Sequence, residues 1–118
     1  MTFKIEHVHL KVHDPAKTAK FYVDNLGAVP VDTHHGFRLN LHGLMVNITE
    51  KIDHQSRSQH YGIEHLALET DDIDGTVARM EADGARVLER LTAEIKGRKR
   101  KVAFIEGPDG IQLELVEM

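Results

Sequence analysis

From Phe3 to Val12 polar and apolar residues alternate, with Val8, Leu10 and Val12 on one side and Phe3, Ile5, His7, His9 and Lys11 on the other. Such alternation predicts a half-buried strand with His7 in its middle. The period then lengthens. Asp14-Pro15 opens a helix, Asp14 as N-cap and Pro15 at the first helical position, where an N–H would have no partner to lose. Ala16, Ala19, Phe21, Tyr22, Val23 and Leu26 supply its apolar side and Gly27 suits its C-cap, so a helix is expected over 15–26. A short strand follows at Ala28–Val31. Phe37–Leu41 and Leu44–Thr49 alternate on either side of His42-Gly43 and read as a hairpin.

Residues 50–60 are polar and aperiodic, as in a linker. After them the order repeats. A strand is expected over Gly62–Thr70 through His65, and Asp71-Asp72 caps a helix carrying Ile73, Val77 and Met80 as far as Gly84. Arg86–Leu91 reads as a strand, Thr92–Arg98 as a loop, and Lys101–Ile105 with Ile111–Val116 as a hairpin around Glu106–Gly110. The fold class is therefore α+β, two βαβββ modules over 1–52 and 60–118 with a linker at 53–59, in a single domain over 1–118.

The residues repeat as well as the elements. Ile5-Glu6-His7-Val8-His9-Leu10 is echoed by Ile63-Glu64-His65-Leu66-Ala67-Leu68, Asp14 by Asp72, Thr18 by Thr76, and Gly27-Ala28 by Gly84-Ala85. Gly43–Glu50 aligns with Gly110–Glu117, which sets Asn47 opposite Glu114. Each is a polar side chain within an apolar run, where an unpaired polar group costs free energy. Two imidazoles and two oxygen-bearing side chains at matching places are the convergent donors a divalent metal needs, and a metal shared by the two modules would satisfy all four.

Composition narrows the chemistry. The chain has no Cys, so thiolate sites, disulfides and thiol catalysis are excluded and any metal must use His and oxygen. A net charge of −4 argues against nucleic acid as a partner. No apolar run approaches membrane length and the amino terminus does not read as a leader, which makes the cytoplasm the expected compartment.

With these motifs the chain resembles the vicinal oxygen chelate superfamily, which includes glyoxalase I, methylmalonyl-CoA epimerase, fosfomycin- and bleomycin-resistance proteins and extradiol dioxygenases. The resemblance is carried by Glu6-His7-Val8-His9-Leu10-Lys11-Val12, by Ala19-Lys20-Phe21-Tyr22 with Leu26-Gly27, by Gly62-Ile63-Glu64-His65-Leu66-Ala67-Leu68, and by Gly107–Leu115 with its Glu114. It implies paired modules forming an open, U-shaped mixed sheet around one divalent metal ion (Ni, Zn, Co, Mn or Fe), with one ligand from each of four strands. The ligands it implies are His7, His65 and Glu114, with Asn47 at the fourth position. Asn47 departs from the Glu or Gln usual there, being shorter and neutral, and is a weak ligand. Glu114 would also be the catalytic base.

The resemblance implies a metal-dependent lyase or isomerase that acts on a small α-oxygenated substrate by chelation and enediolate stabilisation. Two other readings stand beside it: an Fe(II) extradiol-type dioxygenase using the His-His-Glu set, and a metal-free small-molecule binding protein. A homodimer is expected, since open sheets leave strand edges to pair. His9 and His13 read as packing or solvated residues, and His34 and His35 as turn residues within reach of acid-base work. The basic run Lys96–Lys101 reads either as a solvated hairpin or, through Arg98, Lys99 and Arg100, as a binding site for an anionic substrate handle. Alternation alone leaves open which way Glu114 points.

Overall fold

The computed structural model describes residues 2, 5–32, 36–50, 65–95 and 97–118. In it β1 (Val8–Lys11), α1 (Pro15–Leu26), β2 (Val29–Val31), β3 (Phe37–Leu41) and β4 (Leu44–Thr49) are followed by β5 (His65–Thr70), α2 (Ile73–Ala82), β6 (Arg86–Ile95), β7 (Arg98–Glu106) and β8 (Gln112–Glu117). The chain divides into two compact units, Met1–Arg57 and Ser58–Met118. Each holds one βαβββ module and one four-stranded mixed sheet, in the orders β1-β4-β3-β2 and β5-β8-β7-β6. The α+β reading is met. The predicted linker 53–59, together with His34, His35 and Lys96, lies outside the described residues.

Local chemistry sets the helix ends. Asp14 Oδ1 accepts a hydrogen bond from the Lys17 amide at 3.1 Å, and Asp72 Oδ1 accepts one from the Gly75 amide at 3.0 Å, each satisfying an N–H that the first turn leaves over. At the other end Gly27 takes φ 68°, and the amides of Gly27 and Ala28 turn back onto the Tyr22 carbonyl. The ring of His42 adds a third closure, its Nε2 donating to the Leu26 carbonyl at 2.6 Å. His42 can do this because it occupies the two-residue β3–β4 turn with φ 52°, beside Gly43 at φ 102°.

In unit 1 the helix-facing side of the sheet carries Leu39, Leu41, Val46 and Ile48, and α1 brings Phe21, Tyr22 and Leu26; all are buried. In unit 2 the same layer is built from Ala103, Ile105, Leu113 and Leu115 with Ile73, Val77 and Met80 of α2. Full burial of one such aliphatic or aromatic side chain stabilises by about 1.5–3 kcal/mol, so these layers hold the sheets' register.

Two expectations are corrected. Strand β1 begins at Val8, which leaves His7 just ahead of the strand rather than inside it; among the described residues β1 is an edge strand bonded to β4 alone, so its end has a single row of hydrogen bonds to hold it. The expected loop at Thr92–Arg98 is mostly strand. Strand β6 runs to Ile95 and β7 starts at Arg98, with Glu94 facing Lys99 and Thr92 facing Lys101 across the ladder. Leu91-Thr92-Ala93-Glu94-Ile95 does alternate, and cross-strand pairs of opposite charge favour pairing over a loop. A register shift between Val87 and Glu89 interrupts the ladder.

Arg98, Lys99 and Arg100 therefore stand on β7, and they differ in surroundings. Arg98 and Lys99 are exposed. The Arg100 side chain is only 12% exposed; its Nη2 donates to Glu69 Oε2 at 2.9 Å and its Nε to the Glu117 carbonyl at 2.6 Å. Replacing Arg100 by Ala removes both bonds, so a loss of about 1–3 kcal/mol is expected in urea unfolding, whereas Arg98→Ala should stay within about 0.5 kcal/mol of wild type. Equal stability of the two variants would refute this division.

Tyr22 is fully buried, and among the described residues its hydroxyl finds no hydrogen-bond partner. Burial pushes the phenol up from 10.0 to about 12. The folded state thus holds this proton more tightly than the unfolded chain, so the stability it contributes is complete below pH 10.0 and is lost as pH rises towards 12. About 2–3 kcal/mol should disappear across that window, and Tyr22→Phe should not show this loss. At neutral pH Tyr22→Phe should be as stable as wild type or gain up to about 1 kcal/mol, because an unpartnered buried hydroxyl is removed. A clear destabilisation by Tyr22→Phe at pH 7 in denaturant melts would contradict it.

Candidate functional site

In each unit the first and last strands run parallel, and their registers match. His9 lies opposite Asn47 between β1 and β4, and Ala67 lies opposite Glu114 between β5 and β8. His7 and His65 each precede those positions by two residues, so the repeat seen in the sequence is a repeat in space within each unit. Alternation from these pairs puts Asn47 and Glu114 on the sheet face turned away from the helix. The orientation of Glu114 that sequence alternation left open is thereby decided.

In unit 2, Nε2 of His65 and Oε1 of Glu114 are 3.0 Å apart, with side chains 29% and 18% exposed. A carboxylate oxygen accepts, so His65 Nε2 carries the proton of this contact. Phe104, opposite Glu114 in the β7–β8 ladder, sets its ring edge-on to the imidazole with centroids 5.5 Å apart and planes at 86°. Backed by that ring, the imidazole is turned towards the carboxylate. Gln112 lies on the same face, opposite His65.

In unit 1, Asn47 is half-buried and its Oδ1 accepts a hydrogen bond from Nη1 of Arg38 at 3.2 Å. Arg38 Nη2 reaches Glu6 Oε1 at 2.8 Å, and that carboxylate oxygen lies 3.6 Å from Nδ1 of His7. The Arg38 guanidinium, first by its hydrogen bond and then by its charge, holds the Glu6 carboxyl below the usual carboxylate range. His9, on the same face, is exposed and contacts Thr49 Oγ1 through Nε2 at 2.6 Å.

Of the predicted donors, Asn47 and Glu114 are thus on the face of their own sheet turned away from the helix, and His65 is in contact with Glu114. Among the described residues no three His, Asp or Glu side chains gather into a group that would hold a metal; His65 with Glu114 is the pair brought together. An imidazole nitrogen and a carboxylate oxygen are donor types that suit a borderline divalent ion, and to bind one the His65 nitrogen would give up the proton of this contact. Of the three basic residues proposed for an anionic handle, Arg100 is engaged with Glu69 and Glu117, and Arg98 and Lys99 are exposed. A groove of about 390 Å³ beside α1, β2 and β3 is lined by Arg38 and by none of the expected ligands.

Sequence reasoning missed Arg38, Glu6 and Phe104. The signal for two of them was present: counting outward from the two-residue turn at His42-Gly43 pairs Leu41 with Leu44 and so Arg38 with Asn47, and Phe104 holds the matching place opposite Glu114.

Comparison with known proteins agrees with this architecture. The family model described as the Glyoxalase/Bleomycin resistance protein/Dioxygenase superfamily matches residues 4–115. The chain is 28% identical to glyoxalase I of Saccharomyces cerevisiae, the alignment covering 98% of this chain and 45% of that protein. It is 29% identical to lactoylglutathione lyase of Haemophilus influenzae, covering 97% of this chain and 92% of that one. The chain spans less than half the length of the yeast relative and 35% of a probable lactoylglutathione lyase of Arabidopsis thaliana. Among solved structures, the fosfomycin resistance protein FosX of Listeria monocytogenes aligns with a TM-score of 0.75 at 20% identity, over 100% of this chain and 95% of that one, a likeness of fold.

Proposed function

Because the chain belongs to the Glyoxalase/Bleomycin resistance protein/Dioxygenase superfamily, we propose that it is a metal-dependent, glyoxalase-like lyase or isomerase acting on a small α-oxygenated substrate. Its metal ligands are His7, His65 and Glu114, with the neutral Asn47 at the fourth strand position. The observation that supports this reading is the contact of His65 Nε2 with Glu114 Oε1 at 3.0 Å, with Asn47 at the matching register place of the other unit. The curated relatives named as lactoylglutathione lyases support the reaction class.

A divalent ion held by these side chains supplies Lewis-acid charge for the oxygens of the substrate. The remaining steps belong to the protein's own groups. Glu114 is the base that takes the proton from the carbon beside the substrate oxygen, since it is the carboxylate among the four marked positions and is only 18% exposed. Phe104 sets its ring edge-on against the His65 imidazole and so helps hold it towards Glu114.

Protein purified without chelator is expected to carry about one divalent metal per chain, and His65→Ala or Glu114→Gln should strip most of it. Equal metal in wild type and His65→Ala by elemental analysis would show the assignment to be wrong. The metal-loaded protein, screened with glutathione hemithioacetals, CoA thioesters and catechols, should turn over a thioester-forming or isomerising substrate; oxygen-dependent cleavage of catechols alone would make it a dioxygenase instead.

The same reading makes the protein a homodimer. Strand β2 is a sheet edge, with Val29 61% exposed and Phe37 of the neighbouring strand 41% exposed. Light scattering that returns only the mass of one chain across micromolar concentrations would exclude it.

A further inference from the structure

On the helix side of the sheet in unit 1, alternation along β3 sets Phe37, Leu39 and Leu41 in one row. Leu39 and Leu41 are buried, but Phe37 is 41% exposed, so one aromatic ring of that row is left uncovered. Beside it runs the groove of about 390 Å³. Its helix wall is Ala16, Ala19 and Val23, and its sheet wall is Pro30, Leu39 and Phe37. Residues three and four apart share one face of a helix, and these three are short, which leaves a gap between helix and strand. That volume lies in the range of small-molecule sites, which are mostly apolar with a few placed polar groups.

Charge gives the groove a sign. Lys20 on its rim donates to the Asp24 carboxylate one turn on, so these two charges offset one another. Arg38 also borders the groove, but its guanidinium is taken up by Asn47 and Glu6. Asp32 remains, exposed and, among the described residues, with no hydrogen bond or ion pair. Val31 pairs with Arg38 across the ladder, so Asp32, the next residue, and Phe37, the one before Arg38, stand at the same end of the groove. A carboxylate beside an exposed phenyl ring favours a cation twice, by Coulomb attraction and through the negative face of the ring. The chain's net charge of −4 acts in the same direction.

We infer that this groove is a binding site for a small organic ammonium compound, with its charged nitrogen between Asp32 and Phe37 and its apolar body along Ala16, Ala19, Val23 and Pro30. The site is separate from the proposed metal chemistry, since the groove lies on the helix side of the sheet and Asn47 stands on the other face.

The test uses phenethylammonium, phenethyl alcohol and hydrocinnamate, a phenyl body that carries a cation, a neutral hydroxyl or an anion. Each is titrated into the full isotope-labelled chain and followed by backbone amide shifts. The ammonium should move the amides of Ala16, Ala19, Val23 and Phe37 and bind about fivefold or more tighter than the alcohol, through one ion pair and one cation–π contact. Hydrocinnamate should leave those amides in place. Asp32→Asn should cut the ammonium's advantage by about twofold or more and leave the alcohol's affinity unchanged. Ala16→Phe, at an exposed position of α1, fills the groove and should weaken ammonium and alcohol alike by about tenfold or more, because their apolar contact is lost.

Equal affinity for ammonium and alcohol, or an advantage that survives Asp32→Asn intact, overturns the ligand class. Binding unaltered in Ala16→Phe places the ligand elsewhere and overturns the site. If light scattering shows Ala16→Phe breaking a wild-type dimer into single chains, the groove is an interface between copies and the inference fails. Should Ala16→Phe not fold by circular dichroism, Asp32→Asn, at an exposed position outside helix and strand, decides the question.

Discussion

The parallel pairing of the first and last strand in each module is the constraint on which the rest depends. It sets His9 against Asn47 and Ala67 against Glu114, and side chains in a strand alternate between faces. A slip of one residue would turn Asn47 or Glu114 onto the helix and bring a buried Val or Leu out to solvent. That slip would bury a carboxylate or amide without partners, at a cost of several kcal/mol, and expose an aliphatic side chain as well. The apolar layer under α1 and α2, with Val46, Ile48, Leu113 and Leu115 at 1% exposure or less, therefore determines where the polar chemistry stands.

The two faces of each sheet have separate duties. The helix side is filled by residues whose size and burial leave little room for change. The other side is half-buried and polar, and there the modules diverge: His65, Phe104 and Glu114 in one, Arg38, Asn47 and Glu6 in the other. Backbone repetition thus gives matching positions, and side-chain divergence gives them different work. Module 2 holds an imidazole and a carboxylate in contact. Module 1 holds a cation between an amide and a carboxylate.

Most of the fold was legible because its punctuation is local. Asp14, Pro15 and Gly27 delimit α1 at the expected residues, Asp72 caps α2, and His42-Gly43 marks its hairpin. The long β6–β7 ladder was not, because Thr92–Arg98 is polar enough to read as a loop, and the attraction between Glu94 and Lys99 exists only once the strands are paired. Arg100 likewise read as part of a charged run until Glu69 and the Glu117 carbonyl were found beside it. For the site, the repeat marked the positions from which the proposal starts, and the resemblance supplied the chemistry proposed for them. What Asn47 does was hidden, since its partner Arg38 is nine residues away across a turn and carries no motif of its own.

The substitution at Asn47 also bears on the reaction. Of the four strand positions marked by the repeat, only Glu114 carries a carboxylate, so in the proposed site a single group can both accept a proton and return it. Arg38 cannot share that task, because a guanidinium offers donors and no acceptor. An isomerisation that needs bases on both sides of the reacting carbon is therefore poorly served here. In the proposed site a reaction in which one base removes and redelivers the proton suits the single carboxylate at the four marked positions.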